Sequence, residues 1–242
     1  MVRWCLELVL DKGYSSWSLE NVATPAVVQL VKAIAARHPS AVAFATVDAA
    51  DYGSASSRLR LIASTPATIR RLKEQPTLRV SVADAFAAAG LPLPAGHIRS
   101  NTVSRNGSAC VRSVQQPAFC VTASHPLTWC DSGGATVRCL MVAESACLMG
   151  FPSGWQLPLG SRNGIRAVGN AVPVPLAAAI MRAAMGQDAP VGEVAGEAVK
   201  EAVGASIANQ PTARKLVHRR AMRRLKRRVA ALERLVAGTK GS

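Results

Sequence analysis

Trp17-Ser18-Leu19-Glu20-Asn21-Val22-Ala23-Thr24-Pro25 is the stretch from which the architecture of this chain can be read. Trp17-Ser18-Leu19 predicts a short strand that runs into the polar pair Glu20-Asn21 and ends at Val22. Thr24 and Pro25 then supply a cap and a first turn, and Val27, Val28, Leu30, Val31, Ile34 and Ala35 recur at helical spacing. A strand at Ala41 to Val47 and another at Leu59 to Ser64 flank the turn Asp51-Tyr52-Gly53-Ser54, and Thr65-Pro66 opens a further helix. Before the strand, Trp4, Leu6, Val9 and Leu10 give residues 2 to 10 a helical apolar pattern. Strands and helices alternate, which is the rhythm of an α/β protein.

From about residue 75 to 135 the pattern loosens into Pro, Gly, Ser and Asn with short β-like runs such as Ala118 to Thr122, predicting a small irregular lobe. Val142 to Met149 predicts a short helix ended by Gly150-Phe151-Pro152. Gly160 to Gly169 predicts a loop, and Pro173 to Met185 a longer helix. The expected organisation is therefore an α/β body over 1–74, the lobe over 75–135, a closing segment of the body over 136–186, a linker over 187–210 and a basic helical tail over 211–242. No internal repeat is present.

At 242 residues the chain is long enough for one domain and an appendage. Its net charge of +15 is unevenly spread, because residues 211–242 hold eleven Lys and Arg against one acid, Glu233. Such a concentrated cationic segment points to an anionic partner, nucleic acid before membrane, since no large aromatic anchors accompany it. Met222, Leu225, Val229, Leu232 and Val236 give the tail a narrow apolar seam. Arg219, Arg220, Arg223, Arg224, Arg227 and Arg228 occupy other faces and are candidates for phosphate binding. No uninterrupted apolar run has the length of a membrane span, and Met1-Val2-Arg3-Trp4 lacks the plan of a signal peptide. An intracellular protein, at the nucleus or nucleoid and without a membrane partner, is expected. Cys5, Cys110, Cys120, Cys130, Cys139 and Cys147 include no Cys-x-x-Cys pair, so packed, reduced thiols are expected and no metal.

Several short polar clusters occur in a set order. Glu20-Asn21-Val22 ends a strand; Asp51-Tyr52-Gly53 precedes Arg58-Leu59-Arg60; Arg138-Cys139-Leu140 leads through Glu144 to Leu148-Met149-Gly150-Phe151-Pro152; Gly169-Asn170-Ala171-Val172-Pro173 runs into the last helix. In this order and spacing they resemble the second half of the DNA (cytosine-5) methyltransferase family over about residues 2 to 185. The ordered set is far more specific than any member. The resemblance implies the C-terminal part of a Rossmann-like, S-adenosylmethionine-dependent methyltransferase fold, with the lobe as target-recognition region.

The family's chemistry explains the residue types. A cysteine thiolate adds to C6 of cytosine, which lets C5 accept the methyl group of S-adenosylmethionine, and charge builds on the ring. A buried carboxyl facing N3 and the exocyclic amine can share a proton there, the place the resemblance gives to Glu20. A guanidinium near O2 stabilises the same charge from the other edge, the place of Arg60, while Arg58 braces it or a neighbouring backbone. Because the base must leave the stack, the lobe has to offset a cost of a few kcal/mol. Its Arg99, Asn101, Arg105, Asn106, Arg112 and Thr122 are candidates for phosphate or base-edge contacts. Asn170 and Ala171 are expected beside the methyl donor, where Gly169 permits close approach.

The family's glycine-rich donor loop and Pro-Cys dipeptide precede its Glu-Asn-Val motif by more than the nineteen residues found here before Glu20. Cys5, on the apolar helix and without a preceding proline, does not take the nucleophile's place. Ser56 stands where the family has glutamine, and Met141-Val142-Ala143-Glu144 where it commonly has Thr-x-Arg-Glu, two losses of polar support. The expectation is a C-terminal portion or subunit, inactive alone, that methylates cytosine in DNA when a second polypeptide brings the donor loop and the thiol. The alternative is a degenerate, non-catalytic DNA-binding or packaging protein acting through its tail.

Overall fold

The computed structural model describes residues 1–187 apart from 76, 104–108 and 159, with 102, 103 and 109 described by backbone alone. The chain divides into two units, Met1–Ala195 and Gly196–Ser242, and the second lies outside the described residues.

The body begins with α1 (Val2–Lys12), β1 (Ser18–Val22), α2 (Pro25–Arg37), β2 (Ala43–Asp48), β3 (Leu59–Ser64) and α3 (Pro66–Glu74). Thr24 and Thr65 cap α2 and α3 by accepting hydrogen bonds from Val27 N and Thr68 N, each followed by a proline whose missing N–H would have no helical partner anyway. β3 lies between β1 and β2 and runs antiparallel to both, so β1 and β2 are parallel and need the crossover that α2 provides. Alternation along β3 sorts its side chains between two faces. Leu61 and Ala63 pack with Leu6 of α1 and with Val31 and Ile34 of α2. Ile62 packs on the opposite side with Ile69 and Leu72 of α3 and with Leu176, Ala179 and Ala183 of α7 (Val174–Met185). Helices thus cover both faces of the sheet, as an α/β pattern requires.

Between the body segments, α4 (Val82–Ala88) is followed by β4 (His97–Val103), β5 (Ala109–Ser113), β6 (Thr128–Cys130) and β7 (Thr136–Cys139). These strands form an antiparallel sheet in the order β5-β4-β6-β7. The segment that composition marks as irregular is therefore a regular sheet with its own core. Phe86 and Trp129 are fully buried in it with their rings edge to face at 5.4 Å. Residues 118–122 differ from expectation, being loop apart from an isolated bridge between Ser56 and Ala118. β7 continues the sheet past residue 135, and the same core takes in Leu148 and Met149 next to α5 (Val142–Leu148) and Val168 of α6 (Ser161–Asn170).

α6 is itself a correction, since a loop is expected there. Glycine, serine and asparagine give the segment poor helix propensity, but Ile165 and Val168 are buried, and tertiary packing overrides propensity. Gly150 ends α5 with φ 75°, a conformation side chains avoid, and a Cβ there would lie 2.5 Å from Pro175 Cδ. Ser161–Met185 is apolar enough by composition to cross a membrane, but its 18-residue apolar window is half buried and the run comprises two helices separated at residues 171–173.

Candidate active site

The register of β1 on β3 sets the site. Val22 faces Arg60 and Glu20 faces Ile62, so Glu20 and Arg60 are diagonal neighbours on one face. Arg60 Nε lies 2.7 Å from Glu20 Oε1, with the arginine side chain 7% and the glutamate 25% exposed. Arg60 Nη1 donates to Leu59 O at 2.7 Å. Glu20 Oε2 and Arg60 Nη2 have no hydrogen-bond partner among the described residues. Glu20, Asn21, Val22, Arg58, Arg60 and Asn170 line one cavity of about 190 Å³.

Arg58 shares the strand face of Arg60 but does different work. Its Nη1 donates to Val121 O at 2.6 Å and its Nη2 to Gly169 O at 2.8 Å, and Nη1 also lies 3.5 Å from Cys120 Sγ. The guanidinium thereby ties β3 to the loop of the lobe and to the end of α6. Burial lowers the Arg58 pKa, and the neighbouring charge of Arg60 adds to this, while Cys120 and Glu20 act the other way. Nε is buried without a partner among the described residues.

Asp48 holds the entry to β3. Its carboxylate accepts from Arg58 N at 2.7 Å, Ser57 Oγ at 2.6 Å and Ala50 N at 3.1 Å. Burial alone would raise the Asp48 pKa; the bonds from Ser57, Ala50 and Arg58 outweigh it and hold the carboxyl below its ordinary value. Ser56, in the place of the family's glutamine, is fully buried, with Ser54 Oγ at 3.2 Å and Met149 Sδ at 3.6 Å. Ser54 Oγ in turn donates to Leu148 O. These small hydroxyls join the turn before β3 to the end of α5.

Gly169 has no room for a side chain: a Cβ would stand 2.3 Å from Thr122 C and Ala123 N. The close approach expected of this glycine is thus made against the lobe's backbone, within a helix and not in a turn. Asn170, exposed at the last position of α6, lines the cavity, while Ala171 packs against the lobe core.

The DNA-contact candidates are spread over the lobe. Asn101, exposed on β4, donates to Pro126 O at 2.6 Å. Thr122 Oγ1 donates to His125 O at 2.8 Å and accepts from His125 N at 3.2 Å. Arg112 donates to Pro117 O and Ala118 O and stacks over Phe119 at 4.2 Å. Arg99 donates to Gly134 O at 3.3 Å, and its Nε is buried without a partner among the described residues. Arg105, Asn106, Arg219, Arg220, Arg223, Arg224, Arg227 and Arg228 lie outside the described residues.

Glu144 matters more than the sequence suggests. It is 2% exposed and accepts from Arg138 through two bonds of 2.6 and 2.8 Å, from Met141 N at 2.7 Å and from Trp129 Nε1 at 3.2 Å. Burial would raise its pKa, but these donors hold it below the usual range. The polar support of this segment is therefore present, carried by Arg138 in place of the missing threonine and arginine. Glu three residues after the helix cap is the sequence signal for it. All six cysteines are free, and burial pushes Cys147 up to about 11.

Fold and site define an α/β protein with an acid–base pair facing a small cavity at the end of a sheet. Residues 94–186 match the family described as C-5 cytosine-specific DNA methylase. The match takes in β4 to β7, α5, α6 and α7; Glu20, Arg58, Arg60 and α4 precede it. Among solved structures the chain is similar to a DNA modification methyltransferase encoded within a prophage of E. coli, with 14% identity, a TM-score of 0.45, and coverage of 70% of this chain and 68% of that one. It is also similar to the Dnmt2 methyltransferase of S. pombe, with 12% identity, a TM-score of 0.44, and coverage of 70% and 66%. No curated protein matches the chain.

Proposed function

We propose that the chain is the C-terminal portion of a DNA cytosine-5 methyltransferase and that the Glu20–Arg60 cavity receives the everted cytosine. The observation that carries this is the pairing itself: an acid and a base from adjacent strands, 2.7 Å apart, each with a hydrogen-bonding atom unspent and both lining one cavity. With no base present the two charges neutralise each other. On entry of the base, Glu20 Oε2 takes the edge carrying N3 and the amine, and Arg60 Nη2 the edge carrying O2. As negative charge grows on the ring, the nearly buried Arg60 stabilises it and Glu20 shares a proton with N3. Arg58 positions the pocket by fixing Val121 and Gly169.

S-adenosylmethionine, which this family uses, supplies the methyl group. Asn170 fits the edge of such a donor, because its exposed amide can both donate and accept at the cavity mouth. The rest of the donor cradle and the thiol come, in this reading, from the family's N-terminal half. β1 supports that arrangement. Among the described residues only β3 pairs with it, so one strand edge is open, with Val22 on that strand 51% exposed. DNA is bound by the lobe and the basic tail, which places the protein in the nucleoid or nucleus.

The test is methyl incorporation into DNA from labelled S-adenosylmethionine by the chain mixed with a polypeptide carrying the donor loop and Pro-Cys. Incorporation that needs both chains and falls about 10²- to 10⁴-fold in Glu20→Ala supports the reading. No incorporation by any combination contradicts it. A purely DNA-binding role, favoured by the charge of residues 211–242, predicts instead that deleting them abolishes binding while Glu20→Ala has no phenotype.

A further inference from the structure

α6 violates two local rules of helix electrostatics. Arg162 stands in its first turn, where the backbone dipole is positive and where the helix has neither an acidic residue nor a side-chain cap. Arg166 follows at i+4, so two like charges sit at the spacing where they repel each other along the helix. Both are exposed, and neither has an ion-pair or hydrogen-bond partner among the described residues. The opposite face of α6 is filled by Gly164, Ile165, Val168 and Gly169, so packing fixes which way the arginines face. Unfavourable local choices that packing holds in place are the kind that functional surfaces retain.

The same face leads to the cavity. Arg162, Arg166 and Asn170 follow one another at intervals of four residues, roughly 6 Å apart along the axis, and Asn170 lines the Glu20–Arg60 cavity. An interval of roughly 6 Å matches successive phosphates of one DNA strand, which advance about 3.4 Å each along the duplex axis while also rotating about it. We propose that Arg162 and Arg166 bind backbone phosphates of the DNA strand whose base enters that cavity, so that α6 is a phosphate track running from solvent to the pocket mouth. The proposal rests on the reading of the cavity as a base pocket. An anion beside each arginine removes both violations at once.

The experiment is the salt dependence of binding of the full chain to a short random-sequence duplex. Neutralising one phosphate contact reduces the slope of log affinity against log salt by about 0.9. Arg162→Gln/Arg166→Gln is expected to lower the slope by about 1.8 relative to wild type, on top of whatever the tail contributes equally to both. Arg162→Lys/Arg166→Lys keeps the charge and is expected to keep the slope. Arg37→Gln, an exposed arginine on α2, is the control for nonspecific loss of charge. A slope change no larger than that of the control overturns the track, as does loss of slope in the lysine variant. A parallel titration with deoxycytidine monophosphate separates the two ideas. If Glu20→Ala weakens that binding while the slopes do not move, only the track falls; if Glu20→Ala has no effect, the pocket reading falls and takes the track's placement with it.

Discussion

Arg60 Nε meets Glu20 Oε1 at 2.7 Å across the β1–β3 pair, at the end of a sheet whose other Arg60-face neighbour, Ile62, is fully buried. The arginine is nearly inaccessible and depends on the glutamate for its charge balance. Glu20→Ala should therefore destabilise the fold by about 1–3 kcal/mol, less than a fully buried pair because the glutamate is a quarter exposed. Arg60→Leu added to it should recover part of the loss. A double-mutant cycle by chemical denaturation reads this as a coupling of about 1 kcal/mol or more, and strict additivity would show that the pair does not interact.

Arg58 ties together three chain segments distant in sequence. Arg58→Lys removes the fork that reaches Val121 O and Gly169 O together, and should cost about 2 kcal/mol, with Arg58→Ala costing more. Amide hydrogen exchange should rise at 120–123 and 168–171 before the body sheet is affected. Uniform loosening of the whole chain would argue against a local clamp.

Gly164 and Gly169 both lie in α6, but they should respond differently to alanine. At Gly164 the new methyl meets the Val142 side chain at 2.7 Å, which can shift; at Gly169 it meets backbone of Thr122 and Ala123 at 2.3 Å, which is far harder to move. Gly169→Ala should destabilise by about 3 kcal/mol or more and Gly164→Ala by about 1, and thermal melts that reverse this order would contradict the packing described.

Asp48 and Glu144 carry a pH dependence with a definite sign. Both carboxyls are held below their ordinary values in the fold, so each contributes stability that is complete above its unfolded pKa and is lost as pH falls through the lower, folded one. Denaturation midpoints should be insensitive to these groups above about pH 5 and should fall below about pH 4. Asp48→Asn and Glu144→Gln should each flatten that acid limb. An unchanged limb in both variants would show that other groups control it.

Much of the body is legible in the sequence because its signals are local. Thr24-Pro25 and Thr65-Pro66 cap helices where they stand, and alternation fixes β3 at Leu59–Ser64. The segments that resist reading are those ordered by distant partners. α6 has two glycines and two asparagines and is helical because Gly164 fits Val142 and Gly169 fits Thr122-Ala123. The four-stranded sheet is built from short strands whose turns are rich in glycine and serine, so local pattern suggests irregularity, while Trp129 and Phe86 supply the core from separate segments. For the site, the motif order identifies Glu20, Arg58 and Arg60, but not the register that pairs Glu20 with Arg60, nor the parts played by Asp48 and Glu144, whose partners come from other elements. Arg162 and Arg166 are visible only once α6 is known to be a helix, since their spacing has no meaning in a loop.

The claim on which the rest depends is that the Glu20–Arg60 cavity holds a cytosine ring. Calorimetric titration of the full chain with deoxycytidine and deoxyuridine monophosphates tests it, because uracil lacks the amine that Glu20 would accept from and so leaves a polar group unpaired. Tighter binding of the cytidine nucleotide, with the preference abolished in Glu20→Ala, is the predicted result. Equal binding of the two nucleotides, or a preference that survives in Glu20→Ala, would contradict it.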